Sequence, residues 1–180
     1  MTKWLDPVEQ RAWRAIVALM TRLPGALDTQ LQRESGVTHF EYWVLTLLSE
    51  EPGHRLQMSE LAQKANASLS RLSHVVSKLE RMGWARRSVT TGRRGVHAVL
   101  TDDGYHKVVE AAPGYLDAVR HLVFDGLTTD QKGLLAELTE VLALQLADGL
   151  GRPPSPEVTA DSGERAATDT EDPDNDHRPV

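Results

Sequence analysis

The chain reads as mainly α-helical with one small β-hairpin, an α+β molecule in which helices dominate. Three observations lead there. Apolar residues recur at helical spacing through most of residues 6–149. The period shortens to about two only between Trp84 and Leu100. Capping residues, prolines and glycines fall at the ends of the periodic runs, where helices start and stop.

The first helix starts behind Asp6. Asp6 can cap, Pro7 suits the first helical position, and Glu9 stands three residues after the cap. Trp13, Ile16, Val17 and Met20 form its apolar stripe. Pro24-Gly25 is expected to kink or break it, with Leu27 and Leu31 resuming the stripe and Gly36 ending it. A second helix spans Thr38 to Glu50, with Tyr42, Val44, Leu45, Leu47 and Leu48 inward, and Pro52-Gly53 stops it. Two short helices follow: one from Ser59, as cap, to about Ala65, the other from Ser68 to Gly83. Trp84–Val89 and Val96–Leu100 read as strands, joined through Thr90–Gly95 as a hairpin. Thr101 caps the next helix, where Asp102 and Asp103 suit the positive end of the dipole. That helix runs to about Phe124 with a bend near Pro113-Gly114. Thr128 and Gln131 form a capping box for the last helix, which ends at Gly149.

Charge then separates the chain into parts. The 180 residues carry a net charge of −6. From Gly151 to Val180 there are eight acids, three arginines, five prolines and almost nothing to bury, which predicts a disordered acidic tail. Between His54 and Thr101 the sign reverses. Nine basic residues (Arg55, Lys64, Arg71, Lys78, Arg81, Arg86, Arg87, Arg93 and Arg94) face two acids, Glu60 and Glu80, a local +7. A basic island on an acidic chain marks a surface for a polyanion. The absence of cysteine excludes disulfides, thiolate metal sites and cysteine nucleophiles. No apolar run approaches membrane-spanning length and the N-terminus has no secretory leader pattern, so a cytoplasmic protein with no membrane partner is expected.

The island has a shape. In Ser68–Gly83, Leu72, Val75, Val76, Leu79 and Met82 fall on one helical face, and Ser70, Arg71, His74, Ser77, Lys78 and Arg81 on the other. Small hydroxyls permit close approach, and the cations donate to base edges or phosphates. A helix of this width fits the major groove, and the short helix before it would brace it as a helix-turn-helix. Arg86 and Arg87 on the following strand, and Arg93 and Arg94 at the hairpin tip, extend the cationic surface toward a minor groove. Helix-turn-helix plus basic hairpin is a winged helix-turn-helix. The candidate DNA contacts are Ser68, Ser70, Arg71, Ser73, His74, Ser77, Lys78, Arg81, Arg86, Arg93 and Arg94. Lys78 could instead pair with nearby acids, Arg81 could pair with Glu80, and Arg86 is as suited to bracing the fold as to touching phosphate.

Over residues 8–149 the chain resembles the MarR family of bacterial transcriptional regulators. The resemblance rests on Met58-Ser59-Glu60-Leu61-Ala62, on Leu79-Glu80-Arg81-Met82-Gly83 closing the basic helix, on Gly92-Arg93-Arg94-Gly95-Val96 and on Leu100-Thr101-Asp102-Asp103-Gly104. It implies a homodimer built from interleaved N- and C-terminal helices, binding to a palindromic double-stranded DNA operator as a repressor, and often a small-molecule signal. Residues 1–36 would then be an N-terminal dimerisation region, 37–101 the DNA-binding lobe, 102–150 the C-terminal dimerisation helices and 151–180 the tail. The family wing usually carries an acidic residue just before its arginine-bearing tip. Gly92 stands there instead, after Thr90 and Thr91.

Other classes find less support. No P-loop or dinucleotide-binding glycine pattern occurs, so no enzyme and no cofactor is expected. His106 and Glu110 share a helical face and His121 lies farther on, but without cysteine or an H-E-x-x-H pattern no metal site is expected. A winged helix used as a protein-docking or dimerisation module is the alternative, and the local positive charge speaks against it. Trp13, Phe40, Tyr42 and Trp43 cluster near the first two helices. Trp13, His39, Tyr42 and Trp43 are candidates for a pocket holding a small phenolic or aromatic effector; plain core packing is the alternative.

Overall fold

A computed structural model describes residues 2–89 and 95–151. The expected acidic tail and the hairpin tip with Arg93 and Arg94 lie outside the described residues. Helix α1 spans Pro7–Ser35, capped by a full box in which Asp6 Oδ1 accepts from Val8 N and Glu9 N while Asp6 N donates to Glu9 Oε2. It ends at Gly36, whose φ of 69° is the left-handed conformation that closes helices. The break expected at Pro24-Gly25 does not occur: Pro24 lies inside the continuous helix. A proline removes only one backbone bond, and Leu27 and Leu31 just beyond it are buried, which holds the downstream turns in place.

Helix α2 (His39–Glu50) starts from Thr38, again as a capping box with Glu41 at its third position. A short strand the sequence reading did not anticipate, β1 (Arg55–Gln57), comes next. Helix α3 (Met58–Lys64) begins directly after it, so Ser59 lies inside the helix and is not its cap, which corrects the expectation. Gln57 ends its pairing with His97 and the chain turns at once, placing Met58 in the core. Helix α4 (Leu69–Arg81) is capped by Ser68. The hairpin of β2 (Ala85–Val89) and β3 (Val96–Leu100) follows, and β1 adds to it to give an antiparallel sheet in the order β1-β3-β2. Helix α5 (Asp102–Val119) is capped by Thr101 and passes through Pro113 without interruption. Residues Arg120–Phe124 continue it as a π turn, in which Asp125 N donates to Arg120 O, a feature without a sequence signal.

The core lies where α2, α3 and α4 meet the inner face of the sheet. Leu31, Val44, Leu45, Leu48, Leu61, Leu72, Val76, Leu79 and Ala98 have no exposed surface. Each large aliphatic among them contributes about 1.5–3 kcal/mol by leaving water. The start of α5 is locked to the hairpin. Thr101 Oγ1 donates to Gly83 O at 2.7 Å and Thr101 N to Trp84 O at 3.1 Å, and a Cβ on Gly104 would overlap the Trp84 carbonyl.

The chain divides into two units after Gly126. The second, as described, is helix α6 (Thr129–Gly149), capped by the box of Thr128 and Gln131. None of its residues is buried, and Leu134, Leu138, Val141, Leu142 and Leu146 are each about half exposed.

Candidate nucleic-acid interface

Helix α4 is strongly two-faced. Leu72, Val76 and Leu79 anchor one side in the core, which turns Ser70, Arg71, His74, Ser77 and Arg81 outward into water. Ser68 Oγ accepts from Arg71 N at 3.2 Å and fixes the start of the helix. Two cations of α4, the exposed Arg71 and the half-buried Lys78, have partners on α2. The Arg71 guanidinium lies 4.1 Å from the centre of the Phe40 ring. Lys78 Nζ lies 2.6 Å from Oε1 of Glu41, a buried carboxylate.

The hairpin joins the same surface through one arginine. Arg87 forms an ion pair with Glu80, and its Nη2 donates to Ser73 O at 2.8 Å, to Ser73 Oγ at 3.1 Å and to Ser77 Oγ at 3.1 Å. The Arg87 amide donates to the other oxygen of Glu80 at 2.8 Å. Side chains alternate along a strand, so Arg86 stands on the opposite face of the sheet, exposed, in register with Val99 and hence with Arg55 across it. The two adjacent arginines therefore do different things: Arg87 clamps the hairpin to α4, and Arg86 remains a surface cation turned from it. Because their oxygens accept from Arg87, Ser73 and Ser77 retain their own protons for donation. Of the sequence candidates, Ser68, Ser70, Arg71, Ser73, His74, Ser77, Lys78 and Arg81 are brought together on or beside one helix. Arg93 and Arg94 lie outside the described residues. Phe40, Glu41 and Arg87 were not recognisable from the sequence as partners of these groups. The Thr38-x-x-Glu41 spacing signals a capping box, and strand parity distinguishes Arg87 from Arg86.

Of the aromatic residues near α1 and α2, Tyr42 belongs to the core cluster and Phe40 and Trp43 pack against it, while Trp13 stands apart, 53% exposed on α1. His39 instead meets Tyr115 of α5, with Nε2 and Oη 3.3 Å apart and the rings stacked at 5.8 Å, while the Tyr42 ring lies 4.8 Å from Tyr115. Asp28 Oδ1 accepts from His39 N at 2.9 Å. Burial pushes the His39 pKa below its ordinary value, partly opposed by the Asp28 carboxylate; burial raises those of Tyr42 and Tyr115. A groove of about 460 Å³ lies between α1 and α5, lined by Gln30, Arg33, Glu34, Gly114, Asp117 and His121 among others, and none of the four aromatic-pocket candidates lines it. Among the described residues no group of histidines and carboxylates is placed to hold a metal ion, and no helix is long and apolar enough to cross a membrane.

This architecture has close counterparts. The family model for MarR matches residues 37–92, which run from just before α2 through β2. A solved structure of Sco3205 from Streptomyces coelicolor, described as a MarR family transcriptional regulator in complex with DNA, is 44% identical. It superposes with a TM-score of 0.77 and covers 81% of this chain and 92% of its own. The chain belongs to the MarR family. Family membership makes it kin to transcriptional regulators, not to enzymes. AbsC, a second family member from Streptomyces coelicolor, is 34% identical with a TM-score of 0.75, over 82% of this chain and 99% of that one. The transcriptional repressor YetL of Bacillus subtilis is 24% identical over 104 residues, which is 57% of this chain and 62% of YetL. Within the family match lie α4, the Arg87 clamp and the Phe40 and Glu41 contacts.

Proposed function

We propose that this chain is a sequence-specific DNA-binding regulator that represses transcription by occupying a palindromic operator as a homodimer. The observation that carries the reading is the outward face of α4, where Ser70, Arg71, His74, Ser77 and Arg81 stand together on a helix whose other side is fixed in the core. The DNA complex of Sco3205, at 44% identity, supports it. In this reading residues 37–101 are the DNA-binding lobe and 1–36 with 102–150 supply the dimer. Trp13, Leu19 and Met20 on α1 and the leucines of α6 are exposed apolar surface suited to burial against a second copy.

Two recognition helices related by a two-fold axis read half-sites about one helical turn apart. A small aromatic or phenolic effector would release DNA only by binding the spacing that does not match the half-sites more tightly than the one that does. The decisive experiment selects fragments from random duplex DNA with the purified protein, sequences them and footprints the result. An inverted repeat protected on both halves is expected. Protection of a single half-site, or no enrichment at all, would overturn the reading.

A further inference from the structure

Three consecutive residues in the first turn of α2 hold three different neighbours. His39 is tied to the long helices, its amide to Asp28 of α1 and its ring to Tyr115 of α5. Phe40 places its ring under the Arg71 guanidinium of α4. Glu41 spends one carboxylate oxygen on Thr38 N at 3.0 Å, closing the cap of α2, and the other on Lys78 Nζ of α4 at 2.6 Å. Glu41 is the one buried charged residue among those described, only 4% exposed. Burying a carboxylate is costly, and pairing it with a lysine returns little net stability.

Resting on the DNA-binding reading above, we propose that Phe40 and Glu41 are positioning residues for operator recognition. Neither lies on α4 itself. Phe40 holds the Arg71 guanidinium near the start of α4, and Glu41 holds the Lys78 ammonium about two turns farther along the same side. Long cationic side chains lose much rotamer freedom when they bind, and side chains already held in place lose less of it at the moment of contact. The gain falls on the one DNA sequence whose acceptors match the held geometry. It does not fall on random DNA, where a mobile cation serves as well. Phe40 and Glu41 therefore contribute to discrimination more than to attraction. Because His39 anchors the same turn to α1 and α5, the two cations are placed with reference to the long helices as well as to α4.

The test uses the full chain, the operator fragment selected as above and a random-sequence duplex at the same salt. The quantity read is the ratio of the two dissociation constants, together with the melting temperature. Glu41→Gln keeps an oxygen for the cap and removes the charge that holds Lys78; Phe40→Leu keeps an apolar filler and removes the ring under Arg71. Each should lower the ratio about tenfold, the scale of one lost base contact. Glu41→Gln should have no further effect in a Lys78→Met background, and Phe40→Leu none in an Arg71→Ala background. An unchanged ratio in both variants, or an equal fall in both backgrounds, overturns the proposal. A variant that only lowers the melting temperature with the ratio intact also overturns it for that residue. Should Glu41→Gln fail to fold, the Phe40 and Arg71 cycle decides alone. Wild type that does not distinguish operator from random duplex defeats the DNA-binding reading itself.

Discussion

At the residue scale, α4 separates an exposed polar face from a packed one. Arg71 and His74 stand on exposed surface with Ser70 between the helix start and them. Arg71→Ala or His74→Ala should relax base preference at particular operator positions, costing about 1–3 kcal/mol where a base contact is lost. Binding to a library of single-base operator variants measures this, and uniform weakening at every position would assign these side chains to phosphate instead. His39 carries a second prediction. Its pKa in the folded chain lies below the ordinary 6.5, because burial disfavours the charged ring. As pH falls through about 6.5 the unfolded chain takes up a proton before the folded one does, so stability falls until the folded-state pKa is passed. The slope of melting temperature against pH between 7.5 and 5 should be shallower in His39→Gln than in wild type. Identical slopes would mean that His39 gains its proton equally in both states.

At the element scale, the junction of hairpin and α5 tolerates no side chain at Gly104. A Cβ there would overlap the Trp84 carbonyl, which already accepts from Thr101 N, so neither backbone can give way freely. Gly104→Ala should cost about 1–3 kcal/mol by overpacking. Calorimetry reads it directly, and an unchanged melting temperature would show that the junction yields. The helix starts were legible because the capping rule is local: Asp6 with Glu9 and Thr128 with Gln131 form boxes as their spacing indicates. The short strand β1 was not legible, since three residues carry no periodicity and its pairing with β3 is made across some forty residues of sequence. The absence of a break at Pro24 has a related reason. The rule that proline breaks helices is local, whereas at Pro24 the buried Leu27 and Leu31 decide the outcome. The two faces of α4 were legible from helical spacing, but not what holds its cations, because Phe40 and Glu41 meet Arg71 and Lys78 through the fold and not along the chain.

At the scale of the whole molecule, charge and apolar surface lead to two expectations. The exposed leucines of α6 and the exposed Trp13, Leu19 and Met20 of α1 predict a dimer at micromolar concentration, which light scattering checks; a monomer there would leave these faces without a purpose. If the dimer neutralises about eight phosphates, the logarithm of its affinity should fall with the logarithm of salt with a slope of about −7. Residues 152–180 carry eight acids and three arginines, and their removal should strengthen binding to random DNA modestly with little change in melting temperature. A large loss of stability on truncation would show that this segment packs on the rest.

The Arg87 clamp also bears on how the molecule opens. Its amide donates to Glu80, and its guanidinium reaches the carbonyl and hydroxyl of Ser73. Peeling of strand β2 from α4 therefore has to break these bonds, and so does unwinding of α4 between Ser73 and Glu80. Hydrogen exchange should find the amides of the two elements protected by a common opening free energy, as members of one cooperative unit. Arg87→Ala would split that unit, leaving the strand to exchange early and the helix late. The Arg87 amide would then work as a clock for α4, with its exchange rate counting the openings of an element on which it does not lie.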